Sequence, residues 1–185
     1  MAHQEVEILA IGAGPSNLAL AVAVEELAPP EVAANTLIIE RYESVAWQRG
    51  MLLPWTQSQV SFLKDLVTLR NPLSRFSFVN YLHSMGRLDD FVNMASFLPF
   101  RLEISDYLQW VAKSLELVRV EYNMDCTGIE PVPVDGGADG GAASVASSGI
   151  RRPLPPPFRQ GRSASIPGKT VPRRRSSAAS PPVET

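Results

Sequence analysis

Val6-Glu7-Ile8-Leu9-Ala10-Ile11-Gly12-Ala13-Gly14-Pro15-Ser16-Asn17-Leu18-Ala19-Leu20 is the stretch that decides the fold. Its first six residues form a short, mostly apolar run of the kind a parallel strand needs when both of its faces are covered. Gly12 bounds that run. Pro15 then opens a segment rich in Ala, Leu and Val that continues to Leu27. Proline suits the first turn of a helix, where its missing N–H would have had no partner anyway. Glu25 and Glu26 mark the expected solvent side, and Pro29-Pro30 closes the helix. Thr36-Leu37-Ile38-Ile39 reads as a second strand ending at Glu40. A strand, a helix and a strand within about 35 residues are what a parallel pair requires, so the fold class is α/β.

The bend between strand and helix carries the first chemical signal. Gly12 permits a tight turn, and Gly14 lets a pyrophosphate approach the backbone. The helix start beyond them offers free N–H groups and a partial positive charge. Glu40, at the end of the second strand, is placed to accept hydrogen bonds from a ribose hydroxyl pair. Asn17 stands where a third glycine is usual. The pattern points to a dinucleotide, but the spacing does not separate FAD from NAD(P). Its bland rival is a turn that needs glycines only for geometry.

Further along, Phe76, Phe78, Val79 and Leu82 predict a short helix over residues 74–86. Leu108, Val111, Ala112 and Leu115 recur at helical spacing over residues 103–117, with Glu103, Lys113 and Glu116 off the apolar face. Val118 to Tyr122 alternates like a strand. The chain has 185 residues, 45% apolar and 19% charged, with a net charge of −2. That balance excludes a strongly basic nucleic-acid binder, and no apolar run is long enough for a membrane span. Glu5 and Glu7 sit where a secretory signal needs positive charge. The single cysteine, Cys126, precludes an internal disulfide and fits a reducing cytoplasm. Neither that cysteine nor His3 and His83 are grouped for a metal.

Several unusual strings follow the bend in order. They are Trp47-Gln48-Arg49-Gly50-Met51-Leu52-Leu53-Pro54, Gln59-Val60-Ser61-Phe62-Leu63-Lys64-Asp65-Leu66, Arg70-Asn71-Pro72 and Arg75-Phe76-Ser77-Phe78. Arg101 and Asp106-Tyr107-Leu108-Gln109-Trp110 extend the series. Together with Gly12-Ala13-Gly14-Pro15-Ser16-Asn17-Leu18, they resemble the N-hydroxylating flavin monooxygenases that act on the side-chain amine of L-ornithine or L-lysine. Asn17 is that family's usual variant, and the strings at Arg70 and Arg75 look more like its ornithine branch.

The resemblance implies a Rossmann-like, three-layer FAD-binding domain, incomplete here, with residues 1–131 as its N-terminal part. It also implies a flavoprotein that uses NADPH and O2 to hydroxylate N5 of L-ornithine, or the amine of L-lysine, for hydroxamate siderophores. Carried over by position, Gly12, Ala13, Gly14, Pro15, Ser16, Asn17, Leu18, Ala19 and Leu20 would wrap the FAD pyrophosphate. Gln59 would contact the flavin, Cys126 would lie by its adenine half, and Lys64 would bind the substrate carboxylate. A lysine gripping the α-carboxylate fixes how far the side-chain amine reaches, so one ion pair can measure chain length. No strong protein acid or base is demanded, because the cofactor carries the difficult step. Homo-oligomerisation is left open.

Each of these readings has a plainer one. Lys64 could be a surface lysine beside Asp65, where such a pair contributes under about 1 kcal/mol. Gln59 could be an ordinary loop residue. Trp47 and Met51 border the flavin or merely pack, and Trp110 is read as core.

The last part of the chain has a different character. Residues 1–131 carry nine basic against sixteen acidic residues, and residues 132–185 carry eight against three. The second part also holds nine prolines, seven glycines and one aromatic, Phe158. Such a composition cannot bury enough apolar surface to offset its ordering entropy, which predicts a low-complexity, disordered tail over residues 132–185. Arg173-Arg174-Arg175 then simply meets solvent.

The glycines at 136–137 and 140–141 do not form a second dinucleotide bend, so the family's NADPH domain and its returning C-terminal part have no counterpart. The expectation is a shortened reading, by frameshift or gene damage, with weak FAD binding or none and no hydroxylation by this chain alone. Two other functions stand beside that one. One is a non-catalytic fragment that at most holds FAD or a full-length partner. The other is a simple NAD(P)-dependent enzyme, which would leave the string from Gln59 to Leu66 without a purpose.

Overall fold

The computed structural model describes residues 5–132 together with two short strands at 144–146 and 150–151. Strand β1 (Ile8–Ile11) leads through the glycine bend into helix α1 (Pro15–Leu27). A short helix α2 (Pro30–Ala34) returns the chain to β2 (Thr36–Glu40). The Pro29-Pro30 pair does end α1 as the sequence implies, but Pro30 also starts α2, at the position where proline is tolerated. Helices α3 (Phe78–Ser84), α4 (Leu88–Asn93) and α5 (Arg101–Ser114) follow, and then β3 (Arg119–Tyr122). The three strands form one parallel sheet in the order β1-β2-β3. Residues 36–39 of the central strand are buried, as a strand covered on both faces must be.

The core gathers Leu18 and Val22 of α1, Ile38 of β2, Phe76 and Phe78, and Tyr107, Leu108 and Val111 of α5. Phe78 lies at the centre of the aromatic group, within 6.0 Å of the rings of Phe62, Phe91, Tyr81 and Tyr107. Trp110 packs on the same core, half-buried. The Tyr107 hydroxyl donates to the Phe76 carbonyl at 2.8 Å.

Element boundaries differ from the pattern where side chains cap. The helix predicted from residue 74 begins at Phe78, because the Ser77 hydroxyl accepts from Asn80 N–H at 3.2 Å and Asp65 accepts from Phe78 N–H at 2.7 Å. Val79, read as an apolar core position, is exposed.

Glu25 corrects the reading of α1. Its side chain is 5% exposed, and it accepts from the backbone N–H groups of Glu116 (2.8 Å), Leu117 (3.1 Å) and Val118 (2.9 Å). Those amides belong to the turn between α5 and β3, which explains why α5 stops at Ser114 rather than at 117. Glu26 is likewise engaged, by Arg70 at 3.0 Å and the Ser74 hydroxyl at 2.5 Å. Glu103 is also buried rather than solvent-facing. It accepts from the Tyr81 hydroxyl (3.0 Å) and pairs with Arg87 (2.7 Å).

After β3 come β4 (Asp125–Cys126), β5 (Glu130–Val132), β6 (Ser144–Ala146) and β7 (Ile150–Arg151). They form two antiparallel pairs, β4 with β7 and β5 with β6. Thus the stretch read as a tail contributes two short strands. The rest of that stretch, including the glycine pairs, Phe158 and the arginine run, lies outside the described residues.

Candidate functional site

The bend after β1 is built from the backbone outward. Gly12 adopts φ +88°, a conformation that costs an L side chain about 1–2 kcal/mol. Its N–H donates to the Ile39 carbonyl at 2.7 Å, which locks the bend to β2. Asn17 acts as a brace: its side-chain amide donates to the carbonyls of Gly12 (2.7 Å) and Ile11 (3.0 Å). This is a reason for asparagine at the position where a third glycine is usual.

Gly14 begins α1 without any side-chain cap, Pro15 has no N–H, and the first-turn amides have no partner four residues back. A Cβ built on Gly12 or Gly14 meets nothing within 4 Å, so space is open over the bend. An anion has there a close backbone approach, unused amides and the positive end of a thirteen-residue helix.

Glu40 closes the far side. One carboxylate oxygen accepts from Ala13 N–H at 2.8 Å and the other from Tyr42 N–H at 3.0 Å. The end of β2 is thereby tied to the bend itself, a contact that spacing alone did not reveal. The Glu40 carbonyl accepts from Met124 N–H at 2.9 Å, two residues before Cys126. Cys126 is half-buried, and its thiol faces the Gly128 carbonyl at 3.6 Å. The structure therefore brings the bend and Glu40 together and sets the strand bearing Cys126 beside them. Leu18 is fully buried and serves the core, while Ser16 and Leu20 are exposed and Ala19 is half-buried.

Gln59 and Lys64 lie elsewhere, on a segment stitched to residues 97–101. Ser58 N–H donates to Pro99 O (2.8 Å), Arg101 N–H to Thr56 O (2.9 Å), and Phe62 N–H to Phe97 O (3.1 Å). Both side chains are exposed. Asp65 does not pair with Lys64. Its two oxygens are taken by Val67 N–H (3.0 Å), Thr68 N–H (2.6 Å), the Thr68 hydroxyl (2.8 Å) and Phe78 N–H. Lys64 is thus an exposed lysine beside Asp65 in the chain, with no ion pair between the two.

Arg101, known from the sequence only as one string among several, gathers the residues near it. Its guanidinium donates to Gln48 Oε1 at 2.5 Å and lies 5.2 Å from the Trp47 ring centre, with Met51 Sδ at 4.0 Å. Gln48 holds a left-handed backbone, φ 52°, at this junction.

A parallel sheet whose first strand turns through a glycine bend onto a helix start, with an acid at the end of the second strand, defines a Rossmann-like dinucleotide-binding fold. The family model described as L-lysine 6-monooxygenase/L-ornithine 5-monooxygenase matches residues 4–144, and this chain belongs to that family.

An L-ornithine N(5)-oxygenase of Arthrobotrys oligospora is 48% identical over 126 residues, which is 68% of this chain and 26% of that protein. An L-ornithine N(5)-monooxygenase of Burkholderia cepacia is 48% identical over 130 residues, or 70% and 29%. Among solved structures, the ornithine N-hydroxylase of Kutzneria sp. 744, determined with reduced FAD, NADP+ and L-ornithine, superposes with TM-score 0.66. It is 46% identical, over 71% of this chain and 31% of that one. The chain therefore spans between a quarter and a third of the length of these relatives. The family match runs past residue 131, into the stretch whose composition suggested a tail.

Proposed function

We propose that this chain is the FAD-gripping N-terminal part of an L-ornithine N5-monooxygenase that serves hydroxamate siderophore synthesis. The observation that carries the reading is the braced bend. Gly12 and Gly14 are open to a ligand, and Asn17 and Glu40 hold the backbone around them. A dinucleotide pyrophosphate fits that donor set, with its charge over the helix start and its adenosine ribose toward Glu40. FAD, once reduced by NADPH, supplies the activation of O2.

The protein's part is then placement. Lys64, exposed and without a carboxylate partner among the described residues, is the cation for the amino-acid carboxylate. Gln59, five residues earlier, is a neutral donor and acceptor for the flavin ring. Trp47, Met51 and Arg101 form one packed group, so a flavin contact at any of them would be felt by all three. L-ornithine is preferred to L-lysine as substrate because the two 48% identical relatives bear ornithine names.

A graft tests this. Residues 5–132 replace the matching segment of the Kutzneria enzyme, and FAD content, NADPH oxidation and hydroxylamine formation are measured. The graft is expected to retain FAD and to hydroxylate L-ornithine in preference to L-lysine. Lys64→Ala is expected to raise the KM for ornithine far more than it changes FAD content. A folded graft that retains no FAD, or one that prefers L-lysine, overturns the reading. The purified chain alone is expected to oxidise no NADPH. If it does so and forms hydroxylamine, the part described is a whole enzyme and the proposal is wrong.

A further inference from the structure

We infer that Asp65 is a positioning residue for substrate recognition: its carboxylate fixes the backbone that presents the Lys64 ammonium, and so sets which length of amino-acid side chain is accepted. This rests on Lys64 as the cation for the substrate carboxylate, proposed above. Asp65 directly follows Lys64, and each of its oxygens accepts two hydrogen bonds. Three of the four donors are close in the chain: Val67 N–H (3.0 Å), Thr68 N–H (2.6 Å) and the Thr68 hydroxyl (2.8 Å). The fourth is Phe78 N–H, thirteen residues on, at 2.7 Å. An ordinary aspartate turn needs only the local donors. The fourth bond ties the turn to the first residue of α3, and the Phe78 side chain is fully buried among aromatic rings.

The chain is held on the other side of Lys64 as well. A single turn of 3-10 helix (Phe62–Lys64) starts at Ser61, whose hydroxyl accepts from Leu63 N–H at 3.3 Å and whose carbonyl accepts from Lys64 N–H at 2.9 Å. Phe62 donates its N–H to Phe97 O at 3.1 Å, and its ring centre lies 6.0 Å from that of Phe78. Phe62 and Asp65 therefore both anchor on Phe78, one through the ring and the other through the N–H. Lys64 stands between them with its side chain exposed.

A flexible cation can measure a substrate only if its root is fixed. L-ornithine and L-lysine differ by one methylene, which a fixed site discriminates by about 10–200-fold. Positioning and simple charge withholding predict opposite results. An acid beside a substrate-binding lysine competes with the substrate carboxylate, so if Asp65 mattered only as a competitor, Asp65→Asn would tighten ornithine binding. As a positioning residue it loosens binding, because the amide keeps one acceptor oxygen and turns an NH2 group toward the remaining donors.

The experiment has two arms. In the full chain, Asp65→Asn should make the amides of Val67, Thr68 and Phe78 exchange at least about tenfold faster, while those of β2 change little. In the graft described above, the same variant should raise the KM for ornithine at least about tenfold, with kcat within about threefold and FAD content unchanged. The ornithine-over-lysine ratio of kcat/KM should fall at least about fivefold. In a Lys64→Ala background, Asp65→Asn should add less than about twofold, because its effect runs through the lysine. Should Asp65→Asn not fold, Thr68→Val removes one donor at nearly constant shape and should raise KM at least about threefold with the same loss of selectivity. An unchanged KM in Lys64→Ala overturns the reading of Lys64 and this inference with it. A large Lys64→Ala effect beside an Asp65→Asn that leaves KM and selectivity as they were overturns the role of Asp65 alone. So does tighter ornithine binding, or an Asp65→Asn effect that persists undiminished without Lys64, which would make the acid a structural cap only.

Discussion

Removing the Glu25 carboxylate should cost more than any other single change to an acidic residue of α1. Glu25→Ala leaves three consecutive backbone N–H groups without their acceptor. Water can reach two of them, since Glu116 and Leu117 are exposed; Val118 is 3% exposed and its amide cannot be rehydrated without opening the turn. A buried donor stripped of a charged acceptor costs about 1–3 kcal/mol, and the two wet amides about 0.5 kcal/mol each. The Arg75 contact is long, 3.5 Å, and that arginine is 55% exposed, so it adds little. The total is about 2–4 kcal/mol.

With a urea slope of about 1–3 kcal/mol/M, the unfolding midpoint should fall by about 1–2 M with the slope unchanged. Trp110 lies beside the altered turn and makes fluorescence a suitable probe, with far-ultraviolet circular dichroism as the second. Glu25→Gln keeps one acceptor oxygen and should lose about half as much. If both variants unfold within about 0.5 kcal/mol of the parent, the carboxylate is not the clasp between α1 and the α5–β3 turn.

Other changes separate structure from ligand. Gly12→Ala must hold φ +88° with a Cβ and should lower stability by about 1–2 kcal/mol, whereas Gly14→Ala, at φ −78° with open space above it, should stay within about 0.5 kcal/mol; loss of FAD from the Gly14 variant of the graft would then report ligand contact alone. Glu103→Ala should destabilise by about 1–3 kcal/mol, chiefly through the buried Tyr81 hydroxyl because Arg87 is 50% exposed, and Glu103→Gln by less, as read from urea midpoints. Burial raises the ionisation of Tyr107, Tyr81 and Tyr122 above the ordinary tyrosine value, with Asp65, Glu103 and Glu40 respectively adding to the shift. A raised folded-state value means that this stability is complete below about pH 10 and is lost as pH climbs above it; absorbance at high pH should show these phenols ionising together with unfolding, and early ionisation of all three would contradict their burial.

Much of the site could be read from local chemistry. A positive φ at Gly12, a proline in the first helical turn and an apolar run before them are properties of single residues and near neighbours, so the strand, bend and helix were legible in the chain itself. The same holds for the strings that mark the family. Even Asn17, which departs from the usual third glycine, braces a bend only five residues back.

What the sequence could not supply is which distant groups meet. Glu25 and Glu103 look like solvent-facing acids by periodicity; packing puts one on amides more than ninety residues away and the other under Tyr81 and Arg87. Asp65 sits beside Lys64 in the chain, yet its oxygens are drawn to Val67, Thr68 and the start of α3, and it forms no ion pair with that lysine. An apolar run also says that a strand is destined for an interior without saying which neighbours it has, and only the structure shows that β1 pairs with β2, and β2 in turn with β3, in parallel. Torsional preference and periodicity act over a few residues and are written locally. The pairing of a buried polar group is settled by whatever the folded chain brings within hydrogen-bond reach.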